Sequence, residues 1–197
     1  MQSLYYFIVK PLNDRYDNTR RVADTDLIIN SGIEDHRFIS KKAVVVSTPA
    51  AYTTKINIGD ELYIHHNIFR RWYDQKGKER NSSTHFKDDF YFVSPEQIYM
   101  YNLKTHLDYC FIKPLKNQSV LENRKEQPNV GIVKYSNKSL EALKITPGTL
   151  ITFTPNSEFE FIIEGERLYC MKSNDIALTH EYQGNEEENN PSWAKGS

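Results

Sequence analysis

Short runs in which apolar and aromatic residues alternate with polar ones recur along the chain, each closed by a proline, glycine or serine-led turn, and this pattern predicts strands. Tyr5-Tyr6-Phe7-Ile8-Val9-Lys10-Pro11-Leu12-Asn13 is echoed by Asp108-Tyr109-Cys110-Phe111-Ile112-Lys113-Pro114-Leu115-Lys116, an aromatic-rich run ending in Lys-Pro-Leu. Proline donates nothing to a ladder, so each strand is expected to stop or reach a sheet edge there. Ala43-Val44-Val45-Val46 is echoed by Val130-Gly131-Ile132-Val133, and each is followed by a polar loop and a glycine turn, Ile58-Gly59-Asp60 or Thr146-Pro147-Gly148-Thr149. The runs after these turns, Glu61-Leu62-Tyr63-Ile64 and Leu150-Ile151-Thr152-Phe153, are expected to pair back on the preceding strand. A third echo sets Phe90 to Tyr99 against Arg167 to Ile176: an apolar strand, a serine-led polar turn, and a short strand beginning with isoleucine.

Three blocks in the same order predict a tandem duplication, with the first copy at 1–103, the second at 104–182, and the boundary near Leu103 to Leu107. Residues 183–197, rich in Glu, Asn and Gly, are expected to form a flexible tail. The copies differ in two places. The segment at 16–42 is polar and charged except for Leu27-Ile28-Ile29 and a few others, and it is about twice as long as its counterpart after Leu115; a long segment of this kind inside a compact domain is functional or disordered. The first copy also carries an insertion at 70–89, beginning Arg70-Arg71-Trp72-Tyr73, where the second is expected to have only a tight hairpin around Pro155-Asn156-Ser157.

Composition strengthens the strand reading, because 13 Tyr and 10 Phe sit beside Val and Ile in the short runs. Twenty-five basic residues against 26 acidic ones leave a net charge of −1, so no general field favours nucleic acid or an anionic membrane, and nucleic acid is not expected as the first partner. No apolar run reaches the roughly 18 residues that a membrane span needs, and Met1-Gln2-Ser3-Leu4-Tyr5-Tyr6 lacks a basic region followed by an apolar one; a cytoplasmic protein, or one packed in a particle made there, is expected. Cys110 and Cys170 have neither the number nor the spacing of a disulfide scaffold or zinc site, and reduced thiols in strands are expected. Of six histidines only His65-His66 are adjacent, and neighbours on a strand point to opposite faces, so no metal is expected. Without a Gly-X-Ser-X-Gly elbow, a Cys-His pairing or a Gly-X-Gly-X-X-Gly loop, neither catalysis nor a cofactor is expected.

Pro11-Leu12-Asn13-Asp14-Arg15 resembles the N-terminal Pro-Leu-His-Asp-Arg segment of the GroES-type co-chaperonins, Ile58-Gly59-Asp60 resembles that family's Val-Gly-Asp turn, and Met171-Lys172-Ser173-Asn174-Asp175-Ile176 is similar to its Met-Ser-Glu-Ser-Asp-Ile ending. The resemblance covers roughly residues 5–103 and 108–182 and implies two tandem, partly open β-barrels. In the family, an aliphatic triplet on a mobile loop docks on the apical surface of a large chaperonin ring; by position, Leu27, Ile28 and Ile29 are the partner-binding residues that the resemblance implies. Thr25-Asp26 stands where the family has Gly-Gly. The resemblance further implies a homo-oligomeric ring that caps a GroEL-type chaperonin and assists folding.

An exposed aliphatic triplet gains roughly 1.5 to 3 kcal/mol per side chain when a groove buries it, before ordering entropy is subtracted, and a ring of such loops gains avidity. The alternative is a locally ordered segment in which Ile33, Phe38 and Ile39 pack with the triplet. Both copies lack the family's long roof hairpin, since Ser47 to Ile58 and Tyr135 to Thr146 are short, and in this they resemble phage-encoded members. A second functional class is a structural component of a phage particle, in its neck, tail or capsid, that uses the barrel as a scaffold. A third is an oligonucleotide-binding barrel using the basic, aromatic cluster of Arg70, Arg71, Trp72, Tyr73, Lys76, Lys78 and Arg80, against which stands a solvated hairpin tip salted by Asp74, Glu79, Asp88 and Asp89.

Overall fold

A computed structural model describes residues 3–16, 19–22, 25–28, 36–117, 126–181 and 186–196 and shows a mostly β chain that divides into two compact units, Met1–Leu103 and Lys104–Ser197. The first unit contains β1 (Phe7–Pro11), β2 (Thr19–Val22), β3 (Thr25–Ile28), β4 (Lys42–Ser47), β5 (Glu61–Ile64), β6 (Arg71–Tyr73), β7 (Glu79–Asn81), β8 (His85–Lys87), β9 (Phe90–Val93) and β10 (Ile98–Tyr101). After β11 (Lys104–Thr105), the second unit contains β12 (Tyr109–Lys116), β13 (Glu126–Tyr135), α1 (Lys138–Ala142), β14 (Leu150–Phe153), β15 (Phe159–Ile163), β16 (Glu166–Lys172) and β17 (Ile176–His180).

The main sheet of the first unit runs β10-β5-β4-β1-β9-β8, and that of the second runs β17-β14-β13-β12-β16-β15. Taken in chain order these are the same permutation. The repeat extends to register: Val9 opposes Val45 and Pro11 opposes Ala43, while Ile112 opposes Val133 and Pro114 opposes Gly131. A β-bulge follows Ile8 in one sheet and Phe111 in the other, and the last strands carry matching bulges, after Ile98 and after Ile176. Bulges redirect a strand and increase its twist, so their repetition gives the two sheets the same local bends. Gly59 and Gly148, at φ +90° and +92°, hold equivalent turns in which the residue two before each glycine donates its backbone N–H to a side-chain oxygen, Asn57 N–H to Asp60 Oδ2 and Thr146 N–H to Thr149 Oγ1.

The core of the first unit gathers the alternate residues Phe7 and Val9 of β1, Ala43 and Val45 of β4, and Tyr91 and Val93 of β9, with Leu62, Ile64, Ile68 and Phe69. Cys110, Ile112, Val133, Ile151, Phe153 and Met171 fill the corresponding place in the second, where Leu140 of α1 is added. Asn137 caps α1, accepting from Leu140 N–H, while its buried amide donates to Tyr109 O at 2.9 Å and Ser173 Oγ at 2.8 Å. Both cysteines are free and buried, and burial pushes the Cys110 thiol up to about 12, leaving it protonated at neutral pH.

Several expectations are corrected. The Val-rich blocks align one residue differently from their sequence match: Ala43 corresponds to Gly131, not Val130, since these two stand opposite Pro11 and Pro114, and at Gly131 a side chain would meet Ile112 and the Lys113 backbone oxygen. The second copy's link from β14 to β15 is not a hairpin, since β15 pairs with β16 and Thr154 to Glu158 cross to the other edge of the sheet. The rings of His65 and His66 stack at 4.4 Å because His65 caps a single 3-10 turn, where strand alternation does not apply. Within 186–196 the tail is not loose: Leu115 bridges Glu188, Lys116 N–H donates to Glu187 O, Asn189 N–H donates to Pro114 O, and Ala194 is fully buried. Its backbone covers the end of β12, which would otherwise leave polar groups unpaired. The long segment at 16–42 is structured at both ends, where Tyr16 bridges Ile39 and Ser40 N–H donates to Arg15 O, and it carries β2 and β3 between them.

Candidate functional site

Three features stand on the two frames. The first is the antiparallel pair β2 and β3, which runs from Thr19 opposite Ile28 to Val22 opposite Thr25. Its place in the chain, between β1 and β4, is where sequence resemblance puts a docking loop. Leu27 and Ile28 lie on β3, with Leu27 opposite Arg20, whereas Ile29 and Ile33 fall outside the described residues. Of the residues offered as packing partners for the triplet, Ile39 is buried in the first unit's core and Phe38 packs against it.

The second feature is the inserted ribbon of β6 and β7, which registers Arg71 with Asn81, Trp72 with Arg80 and Tyr73 with Glu79. Arg15, the last residue of the Pro-Leu-Asn-Asp-Arg segment, fastens it: Nε donates to Phe69 O at 2.6 Å, one terminal nitrogen to Asn81 Oδ1 at 2.8 Å, and the other to Arg70 O at 3.1 Å. The Arg15 guanidinium lies 5.2 Å from the centre of the Tyr91 ring, and that of Arg71 lies 4.6 Å from the Tyr16 ring. Arg71 N–H donates to Tyr16 Oη at 2.8 Å, and Arg71 pairs with Glu79 at 3.1 Å. At the tip, Asp74 Oδ1 accepts from the N–H groups of Lys76 and Lys78, Oδ2 pairs with Arg80 Nε at 2.9 Å, and these hydrogen bonds, that of Lys78 first, hold the Asp74 carboxyl below its ordinary range. Arg15→Ala removes three charge-assisted donors at once and is expected to cost about 2 kcal/mol. Urea unfolding measures that loss, and faster amide exchange confined to Arg71–Asn81 checks its location.

The third is a charged network on the second unit. Arg167 pairs with Glu160 at 2.6 Å and with Glu126, and donates to Tyr169 Oη at 2.7 Å; Tyr169 in turn donates to Glu126 Oε2 at 2.6 Å. Burial, then the hydrogen bond to Glu126, pushes the Tyr169 phenol above its ordinary range. Asn189 Nδ2 donates to Glu126 Oε1, Lys113 pairs with Glu188 at 2.9 Å, and Lys116 pairs with Glu187 at 3.0 Å, so this network holds the C-terminal segment in place. Tyr169 is the register equivalent of Tyr91, and each has an arginine within about 5 Å of its ring centre, Arg167 at 5.0 Å and Arg15 at 5.2 Å.

Sequence reading located the aliphatic triplet and the basic insertion but missed the fastening role of Arg15, whose partners lie 54 to 66 residues away. It also missed the Glu126-Arg167-Tyr169 group, for which the Arg-X-Tyr alternation on one strand face was the available signal. Among the described residues there is no group of three or more His, Cys, Asp or Glu placed to hold a metal ion, and no helix long and apolar enough to cross a membrane. Comparison with protein-family models and with curated proteins yields no match.

Proposed function

We propose that the chain is a co-chaperonin: the main sheet of each unit is a GroES-like, partly open barrel, copies assemble into a ring, and the first unit's loop docks on a GroEL-type chaperonin through Leu27, Ile28 and Ile29. The observation that carries this reading is the repetition of one strand order, with matching bulges and glycine turns, together with an antiparallel strand pair bearing Leu27 and Ile28 between β1 and β4 of the first copy. The short counterpart of that segment in the second copy supports a division of labour, in which the first copy binds and the second builds the ring. Weak docking by each loop suits a cap that must leave, because the avidity of several loops falls steeply once a few release.

The test is co-sedimentation with a GroEL-type chaperonin, with and without adenine nucleotide. Nucleotide-dependent co-migration is expected. Ile28→Asp is expected to abolish it while leaving the oligomer intact by light scattering, since a carboxylate cannot enter an apolar groove without a large desolvation cost. Unchanged capture of the variant would remove the triplet from the reading. A stable oligomer that never co-migrates would instead favour a structural component of a phage particle.

A further inference from the structure

The register of the inserted ribbon sorts its charges. Strand alternation puts Arg71, Tyr73, Glu79 and Asn81 on one face, and this is the fastened face, held through Tyr16 and Arg15. Pairing continues past both ends of β6 and β7, with Ser82 N–H donating to Arg70 O and Asp74 N–H to Lys78 O. The opposite face therefore carries Arg70, Trp72, Asp74, Lys78 and Arg80. Trp72 is 41% exposed and lies directly opposite Arg80, whose side chain is 51% exposed. The one acid on this face, Asp74, is committed to the N–H groups of Lys76 and Lys78 and to Arg80. Arg70 and Lys78 flank the indole along the ribbon, and Lys76 extends the row at the tip. The chain's near-neutral total thus conceals a local concentration of positive charge around one exposed indole, on a rigid support.

We propose that this outward face binds single-stranded nucleic acid, with the Trp72 indole stacking on a base and Arg70, Lys76 and Lys78 meeting the flanking phosphates. An indole between cations fits this ligand because every base offers a π-face and the backbone supplies negative charge at each nucleotide, on both sides of the stack. An acidic polypeptide would meet the cations but leave the indole without a stacking partner. Fastening by Arg15 presents the face already ordered, which lowers the entropy cost of binding. The inference goes beyond the co-chaperonin reading and fails separately from it, because its readout involves no chaperonin.

Fluorescence anisotropy of a labelled oligo(dT) of about 12 nucleotides tests it on the full chain. Binding is expected to weaken with a log–log salt slope of about −2, as for three phosphates met on a single strand, which is roughly 15- to 20-fold between about 50 and 200 mM salt. Trp72→Ala is expected to weaken binding about 10-fold. The double variant Lys76→Glu, Lys78→Glu is expected to abolish it, with the thermal melt unchanged for both variants because these side chains are exposed. No binding at the lower salt, or binding indifferent to both variants, overturns the proposal. Displacement by poly-glutamate as effective as displacement by unlabelled oligo(dT) also overturns it, and assigns the face to an acidic protein partner.

Discussion

Replacing Phe69 by alanine is expected to destabilise the first unit by about 3 to 5 kcal/mol, the range for truncating a fully buried aromatic residue. Phe69 has no exposed surface, and its ring meets Tyr91 edge-on at a centroid distance of 4.9 Å. Tyr91 in turn stands beneath Arg15, whose Nε donates to the carbonyl of Phe69 itself. Losing the ring therefore opens a cavity at the point where core, ribbon and the Arg15 clamp converge, and relaxation into the cavity moves the carbonyl that anchors the clamp. Domains of this size hold about 5 to 15 kcal/mol of stability, so this loss consumes a large share of it. Each unit carries one of the chain's two tryptophans, Trp72 in the first and Trp193 in the second. In the Trp193→Phe background, urea unfolding followed by indole emission reports the first unit alone. A lower midpoint is expected for Phe69→Ala, and Phe69→Leu is expected to recover more than half of the loss. A shift below about 1 kcal/mol for the alanine variant would show that the ring is not a keystone of this core.

Gly131→Ala is expected to be the most damaging small substitution in the second unit. A methyl group built there lies 2.5 Å from Ile112 Cγ2 and 2.6 Å from the backbone oxygen of Lys113. Ile112 is fully buried and cannot swing away, and Lys113 O belongs to β12, a central strand paired on both sides, so neither neighbour gives way cheaply. Overpacking of this kind costs typically 1 to 3 kcal/mol, and the backbone contact places this case at the upper end. The first unit supplies the control, because its equivalent residue is Ala43, fully buried opposite Pro11. Ala43→Gly is expected to cost only about 0.5 to 1 kcal/mol, through chain entropy and a lost methyl contact. Unfolding monitored by Trp193 in the Trp72→Phe background should resolve the larger loss for Gly131→Ala. A neutral effect would mean that the two strands sit farther apart than the structure has them.

Much of the frame is legible along the chain. Period-two alternation, proline at strand ends and glycine at tight turns are local properties, and they repeat in the same order, so the strands, their turns and the duplication can be recovered without any long-range contact. The aliphatic triplet is legible for the same reason, as an apolar interruption in a polar segment. Other features depend on which strand a residue meets. The one-residue offset between Val130 and Gly131 is invisible in a run of similar apolar residues, and only the cross-strand register, with Ile112 and the Lys113 backbone oxygen close to where a side chain on Gly131 would stand, decides it. The acidic composition of residues 186–190 reads as solvated until Lys113 and Lys116 of β12 supply the complementary charges to Glu188 and Glu187. The basic ribbon reads as a mixed cluster until its register sends Arg71 and Glu79 to one face and Arg70, Trp72, Lys78 and Arg80 to the other. By itself the sequence determined the repeated elements and their punctuation, because backbone conformation and alternation are set by neighbours in the chain. Only the tertiary structure decided register, the docking of the C-terminal segment and the sorting of charge, because these turn on contacts between residues far apart in sequence.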